Sequence, residues 1–218
     1  MKILLGLFFS MCFLIAHAER NVINVGDIIN IHGHQAMVFV LDDTGVHGKA
    51  MYIGAFRGID SPWCRNGKHI KKLLDMSNCE NGKLNTEKVT LYANNNNAWL
   101  LFPVFNWCHS LGEEWFIPSL KELEAFINFW LGNEEVFNWD EESELEIDSS
   151  KPFFKEINQR LIDSGGIPFI NGVYTSTIDK NGKVYVFNYN RIKNTWSLKR
   201  MSVTSLDQNC VGRAFINF

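Results

Sequence analysis

The chain has 218 residues, of which 46% are hydrophobic, 13% aromatic and 21% charged, with 16 glycines and five prolines. That composition excludes intrinsic disorder, collagen and coiled coil. Lys and Arg number 21 against 24 Asp and Glu, a formal charge of −3, so no global basic field draws in nucleic acid or an anionic membrane.

In chain order, residues 1–18 read as an export signal. Lys2 gives the positive start, Ile3 to Ile15 an apolar run, and Ala16-His17-Ala18 a small-x-small cleavage site. The run is shorter than the roughly 20 residues a membrane span needs. Three short strands follow: Val22 to Ile31, interrupted at Gly26-Asp27; Met37 to Leu41; and Ala50 to Ile53. Turns fall at His32-Gly33-His34 and at Asp42 to Gly45. Residues 58–97, which carry Gly58, Pro62, Gly67, Gly82 and four successive asparagines, read as a long irregular stretch that needs a staple or a function.

Helices dominate residues 98–164. Pro103 suits the first turn of a helix running to Leu111, with Phe105, Cys108 and Leu111 on one face. Ser119 and Glu122 form a capping box, and Leu120, Leu123, Phe126, Ile127 and Trp130 make the apolar stripe that follows it. Beyond an acidic loop, Pro152 opens a third helix, with Phe153, Phe154, Ile157, Leu161 and Ile162 expected to face inward. The remainder reads as β: Val173 to Ile178, a type I′ turn at Asn181-Gly182, Val184 to Tyr189, Thr195 to Met201, and Val211 to Phe218. Strands, then helices, then an antiparallel meander predict an α+β fold. The expected divisions are a signal over 1–18, an N-terminal strand region with a stapled loop over 19–97, and a core over 98–218.

Past the signal lie Cys64, Cys79, Cys108 and Cys210. An even count in an exported chain favours two disulfides, with three pairings possible. Cys64–Cys79 with Cys108–Cys210 is the favoured one. These bridges would contribute roughly 3 and 4.7 kcal/mol in the chain-entropy model. A zinc site is the competing reading, but no two cysteines have its short spacing.

The run Trp115-Phe116-Ile117-Pro118-Ser119-Leu120-Lys121-Glu122-Leu123 resembles the signature of the Lcl C-terminal-type domains, exported bacterial proteins largely of unknown function. Phe102 to Cys108, Ile157-Asn158, Gly165-Gly166, Tyr174 to Thr177 and Arg213-Ala214-Phe215 match further family segments in order. The chain departs from the family at Tyr174, where relatives carry Trp, and at Glu114, where they carry Gly. The resemblance implies a C-type-lectin-like fold, a twisted antiparallel sheet flanked by two to three helices, preceded by the N-terminal strand meander. It also implies a bridge from the first core helix to the last strand, in the places of Cys108 and Cys210.

Trp115, Pro118, Ser119 and Glu122 are read as structural: a core anchor, an extended approach and a helix cap. The sugar motifs of calcium-dependent lectins do not occur, so binding in that manner is not expected. Glu135, Asp140 and Glu142, in an acidic loop of eight carboxylates, are the candidate ligands for calcium, and no other cofactor is expected. Trp63, Trp139 and Trp196 are candidate ring platforms for a ligand. His32 and His34 could chelate a metal but lack a third ligand.

No catalytic constellation is present, and an enzyme on a formylglycine-generating-like scaffold is the alternative. The leading expectation is a recognition protein of the periplasm, outer surface or extracellular space. It would bind a glycan or a surface protein, without nucleic acid and without membrane insertion after signal cleavage. A structural subunit of a surface assembly is the third expectation, and the oligomeric state is left open.

Overall fold

The protein is described by a computed structural model over residues 22–56, 62–67, 75–132, 144–146, 152–190, 192–193, 195–205 and 210–218. Strands β1 (Ile28–Ile31), β2 (His34–Leu41) and β3 (Gly48–Tyr52) form the expected meander. A fourth strand from far along the chain, β9 (Phe215–Asn217), pairs antiparallel with β3. The second sheet has the order β4-β7-β6-β5-β8. Its strands are β4 (Glu144–Glu146), β5 (Gly172–Ile178), β6 (Lys183–Asn190), β7 (Thr195–Ser202) and β8 (Cys210–Val211). Among the described strands only β5 and β8 run parallel. The expected single sheet is thus two, and the last predicted strand is split: β8 joins one sheet and β9 the other.

The first sheet is covered on both faces along β2. Along β2, Ala36 and Val38 enter one half of the core while Met37 and Phe39 enter the other. Successive side chains point to opposite sides of a strand, so a continuous apolar run marks a strand covered twice. Helices α1 (Gly82–Asn96) and α2 (Pro103–Ser110) close the first half with Val89, Ala93, Phe105 and Cys108. Helices α3 (Leu120–Trp130) and α4 (Pro152–Asp163) close the second with Phe126, Ile127, Trp130, Ile157 and Leu161. The fold is α+β.

Helix α1 occupies the second half of the stretch expected to be irregular. Its buried face is Gly82, Asn85, Thr86, Val89 and Ala93, small and polar residues that print no apolar period. Asn81 caps it by accepting Leu84 N–H at 2.9 Å, and Asn97 ends it in the left-handed region at φ 49°. The asparagine run is therefore a helix end. Two residues expected to face inward from α4, Phe153 and Ile162, are exposed, while Phe154 packs on Trp130 at 4.4 Å between ring centres. At the β5–β6 hairpin only Gly182 has positive φ, 76°, so the turn is not type I′. Asp179 instead organises it, its Oδ1 accepting the N–H of Asn181 and of Lys183 at 2.8 Å each.

No disulfide joins the described cysteines, which corrects both expected bridges. Cys79 sits two residues before the α1 cap, where its carbonyl accepts Lys121 N–H. Cys64 is buried elsewhere, its N–H donating to Val203 O. Cys108 is fully buried in α2, and burial pushes its thiol far up. The helix and final segment that the bridge was to link do meet, but by packing. A Cβ built on Gly212 would lie 2.8 Å from Val104 Cγ1 and 3.5 Å from Trp107 Cζ3.

Candidate functional site

The Trp115–Glu122 signature holds the molecule together. Phe116 exchanges backbone hydrogen bonds with Phe215 in β9, and Pro118 O accepts Ser176 N–H from β5. Ile117 N–H donates to Thr86 Oγ1 in α1. Ser119 Oγ accepts Glu122 N–H at 3.3 Å, and Glu122 Oε2 accepts Ser119 N–H at 2.9 Å, completing the expected capping box. Trp115 is buried, edge-on to His34 and Tyr52 at 5.9 and 5.7 Å. These residues serve the core.

Tyr52 carries the ring contacts onward. Trp107 lies 6.2 Å from it, and Phe56 lies 5.7 Å beyond Trp107 at an interplanar angle of 30°. Phe56 is fixed by paired backbone hydrogen bonds with Gly212. In α2, Val104, Phe105 and Cys108 face the core, which leaves Pro103, Asn106 and Trp107 on the outer face at i, i+3 and i+4. The half-buried Phe56 and Trp107 thereby form the wall of a largely apolar cleft of about 600 Å³.

The single 3-10 turn Trp99–Leu101 makes the opposite side. Trp99 is locked there, stacked on His109 at 4.7 Å and donating its indole N–H to Asn94 Oδ1 at 2.9 Å. Leu100 stands 82% exposed at the rim. Arg65 enters from the loop, its backbone N–H held by Leu101 O at 2.9 Å. Among the described residues, neither the Arg65 guanidinium nor the Asn106 amide has a side-chain partner. Rings, an amide and a guanidinium at one apolar concavity are groups that orient a small ligand.

On the other side of the Trp99–His109 stack lies a polar cleft of about 420 Å³. Lys83, Glu87, His109, Glu113 and Glu114 line it. Lys83 pairs with Glu114 at 2.6 Å and holds that carboxyl below the usual carboxylate range.

The candidates read from sequence fare differently. Trp63 and Trp196 are both fully buried, which removes the exposure on which a platform role was read. Trp63 packs on Phe105 and donates its indole N–H to Thr175 O, and Trp196 stacks on Phe169 and Tyr189. Trp139, Glu135, Asp140 and Glu142 lie outside the described residues, as does the export signal. His34 packs its ring on Tyr52 and Trp115, and His32 sits in a turn at φ 52°. Among the described residues no three His, Cys, Asp or Glu converge on a metal position. The cleft residues Phe56, Arg65, Trp99, Asn106 and Trp107 escaped sequence reasoning. One signal was there: Trp107 falls off the Phe105–Cys108–Leu111 face of its predicted helix, a large ring on the side expected to be polar.

No protein-family profile and no curated protein matches the chain. Among solved structures it is similar to a fimbrial protein from Bacteroides ovatus, at 17% identity and a TM-score of 0.45. The match covers 79% of this chain and 36% of that one, so the chain spans about a third of its neighbour's length. Among the described residues no helix is long and apolar enough to cross a membrane.

Proposed function

We propose that the protein is an exported recognition module of the C-type-lectin-like kind, and that its ligand is a glycan held in the aromatic cleft. One observation carries the reading: Phe56 and Trp107, 5.7 Å apart and tilted by 30°, line an apolar cleft beside an amide and a guanidinium with no side-chain partner among the described residues. Ring faces stack on the apolar faces of sugars, and amide and guanidinium groups take up hydroxyl hydrogen bonds. The lectin-like reading of the fold is supported by the signature's capping box and by the packing of the first core helix on the final segment. Among the described residues no carboxylate lines this cleft, so the reading calls on rings, amide and guanidinium and not on calcium.

A glycan array tests the proposal, followed by titration calorimetry on the strongest hit with and without chelator. Binding that survives chelator and drops at least tenfold in Trp107→Ala, with stability retained, is the expected result. A blank array, or a hit unaffected by Trp107→Ala, overturns it.

A further inference from the structure

The two clefts beside the Trp99–His109 stack have opposite charge. Glu87, Glu113 and the Lys83–Glu114 pair line the polar one. The aromatic one has Arg65 as its single charged group among the described residues. That side chain is exposed, and among the described residues no carboxylate neutralises it. A free guanidinium fork matches a carboxylate bidentately, and it does so best at a cleft whose apolar walls thin out competing water.

We infer that the ligand of the aromatic cleft is an acidic glycan, a sugar residue whose ring face lies on Trp107 and Phe56 and whose carboxylate pairs with Arg65. This rests on the reading of the cleft as a glycan site and adds the ligand's charge to it. The sugar is favoured over a lipid headgroup because an apolar ring platform has no use in binding a phosphate, whereas it matches the apolar face of a sugar ring. The polar cleft, with its excess of carboxylates, repels the same ligand, so occupancy is confined to the Arg65 side.

The test uses the chain without residues 1–18, trigalacturonate, and the same trisaccharide with its carboxylates methyl-esterified. Calorimetry at low salt is expected to give about tenfold tighter binding of the acid than of the ester, a preference that shrinks as salt is added. Arg65→Gln removes the preference, because it weakens binding of the acid far more than binding of the ester. Arg65→Lys restores part of it, since an ammonium keeps the charge but loses the fork. Trp107→Ala weakens acid and ester alike.

Equal affinity for acid and ester in the wild type overturns the inference and leaves the glycan reading standing. Failure of both trisaccharides and of every neutral glycan overturns the glycan reading itself. Arg65-dependent flotation with phosphatidylglycerol vesicles, without trigalacturonate binding, overturns the sugar assignment in favour of an anionic headgroup.

Discussion

Glu122 reaches back to the first residue of another helix: its Oε2 accepts Gly82 N–H at 2.9 Å while also accepting Ser119 N–H and Oγ–H at 2.9 Å each. Its other oxygen takes Lys49 Nζ from β3 at 2.6 Å. One carboxylate thus caps α3, satisfies an orphan donor of α1 and ties both to the first sheet.

Gly82 permits that approach by having no side chain. A Cβ there would lie 2.4 Å from Ile117 O and 2.5 Å from Ser119 N, both backbone atoms. Gly82→Ala should therefore cost about 1–3 kcal/mol, despite the better helix propensity of alanine. Glu122→Ala should cost about 2–4 kcal/mol through the lost caps and the stranded Lys49. Urea unfolding measures both, and a neutral Gly82→Ala would show that the two segments are not in contact.

Arg213 is fully buried and spans two loops. Nη1 donates to Ile53 O and Gly54 O at 3.3 and 3.1 Å, and Nη2 to Ile167 O and Pro168 O at 2.9 and 3.0 Å. The guanidinium lies 5.4 Å from the centre of the Phe169 ring. Lysine keeps the charge but cannot serve four carbonyls from two nitrogens. Arg213→Lys should lose about 3 kcal/mol of stability, as read from the urea midpoint.

Glu124 is buried on α3, and desolvation raises its carboxyl despite the Lys121 ammonium at 2.7 Å. A carboxyl whose folded pKa is raised favours the folded state while protonated, and that contribution is lost as pH climbs through the folded value. Glu124→Gln should accordingly match the wild type near pH 4 and exceed it in stability near pH 8. Thermal melts across that range report the difference, and a gap that does not change with pH would contradict the assignment.

Asp179 has the opposite sign. Burial works to raise its carboxyl, but the N–H groups of Lys183 and Asn181 and the Arg200 guanidinium outweigh it, and the net shift is downward. Its stabilisation is present above the ordinary aspartate range and disappears as pH falls through the lowered folded value. Asp179→Asn should cost about 1 kcal/mol near neutrality and less near pH 2. The same melts, extended into acid, check it.

Thiol reactivity distinguishes the cysteines. Cys108 is fully buried with its thiol pushed up, whereas Cys79 is half-buried. In native protein a thiol reagent should label Cys79 first and leave Cys108 unlabelled until denaturant is added. Mass mapping of the labelled peptides decides the order.

Elements whose buried face is apolar could be read directly. The α3 stripe and the β2 run are such cases, and the Ser119–Glu122 cap set a boundary the structure keeps. Helix α1 was illegible because its inner face is glycine, asparagine, threonine and alanine with Val89 as the one larger apolar residue, and tertiary contacts such as Thr86 to Ile117 stabilise it in place of a hydrophobic stripe. The tryptophans misled for a related reason. Trp63 lies in an irregular stretch, yet its indole N–H finds Thr175 O across the core, a partner 112 residues away. The cleft was hidden because its walls come from three separated segments, joined only when Gly212 lets Trp107 and Phe56 close over it.

The division of the last predicted strand bears on how the molecule opens. Residues 210–211 hold one sheet and residues 215–217 the other, and Phe215 sits opposite Met51. Fraying of this short stretch would expose both halves of the interior to solvent at once, so neither can melt on its own. Hydrogen exchange should find amides of β2 and β6 losing protection in a single cooperative event.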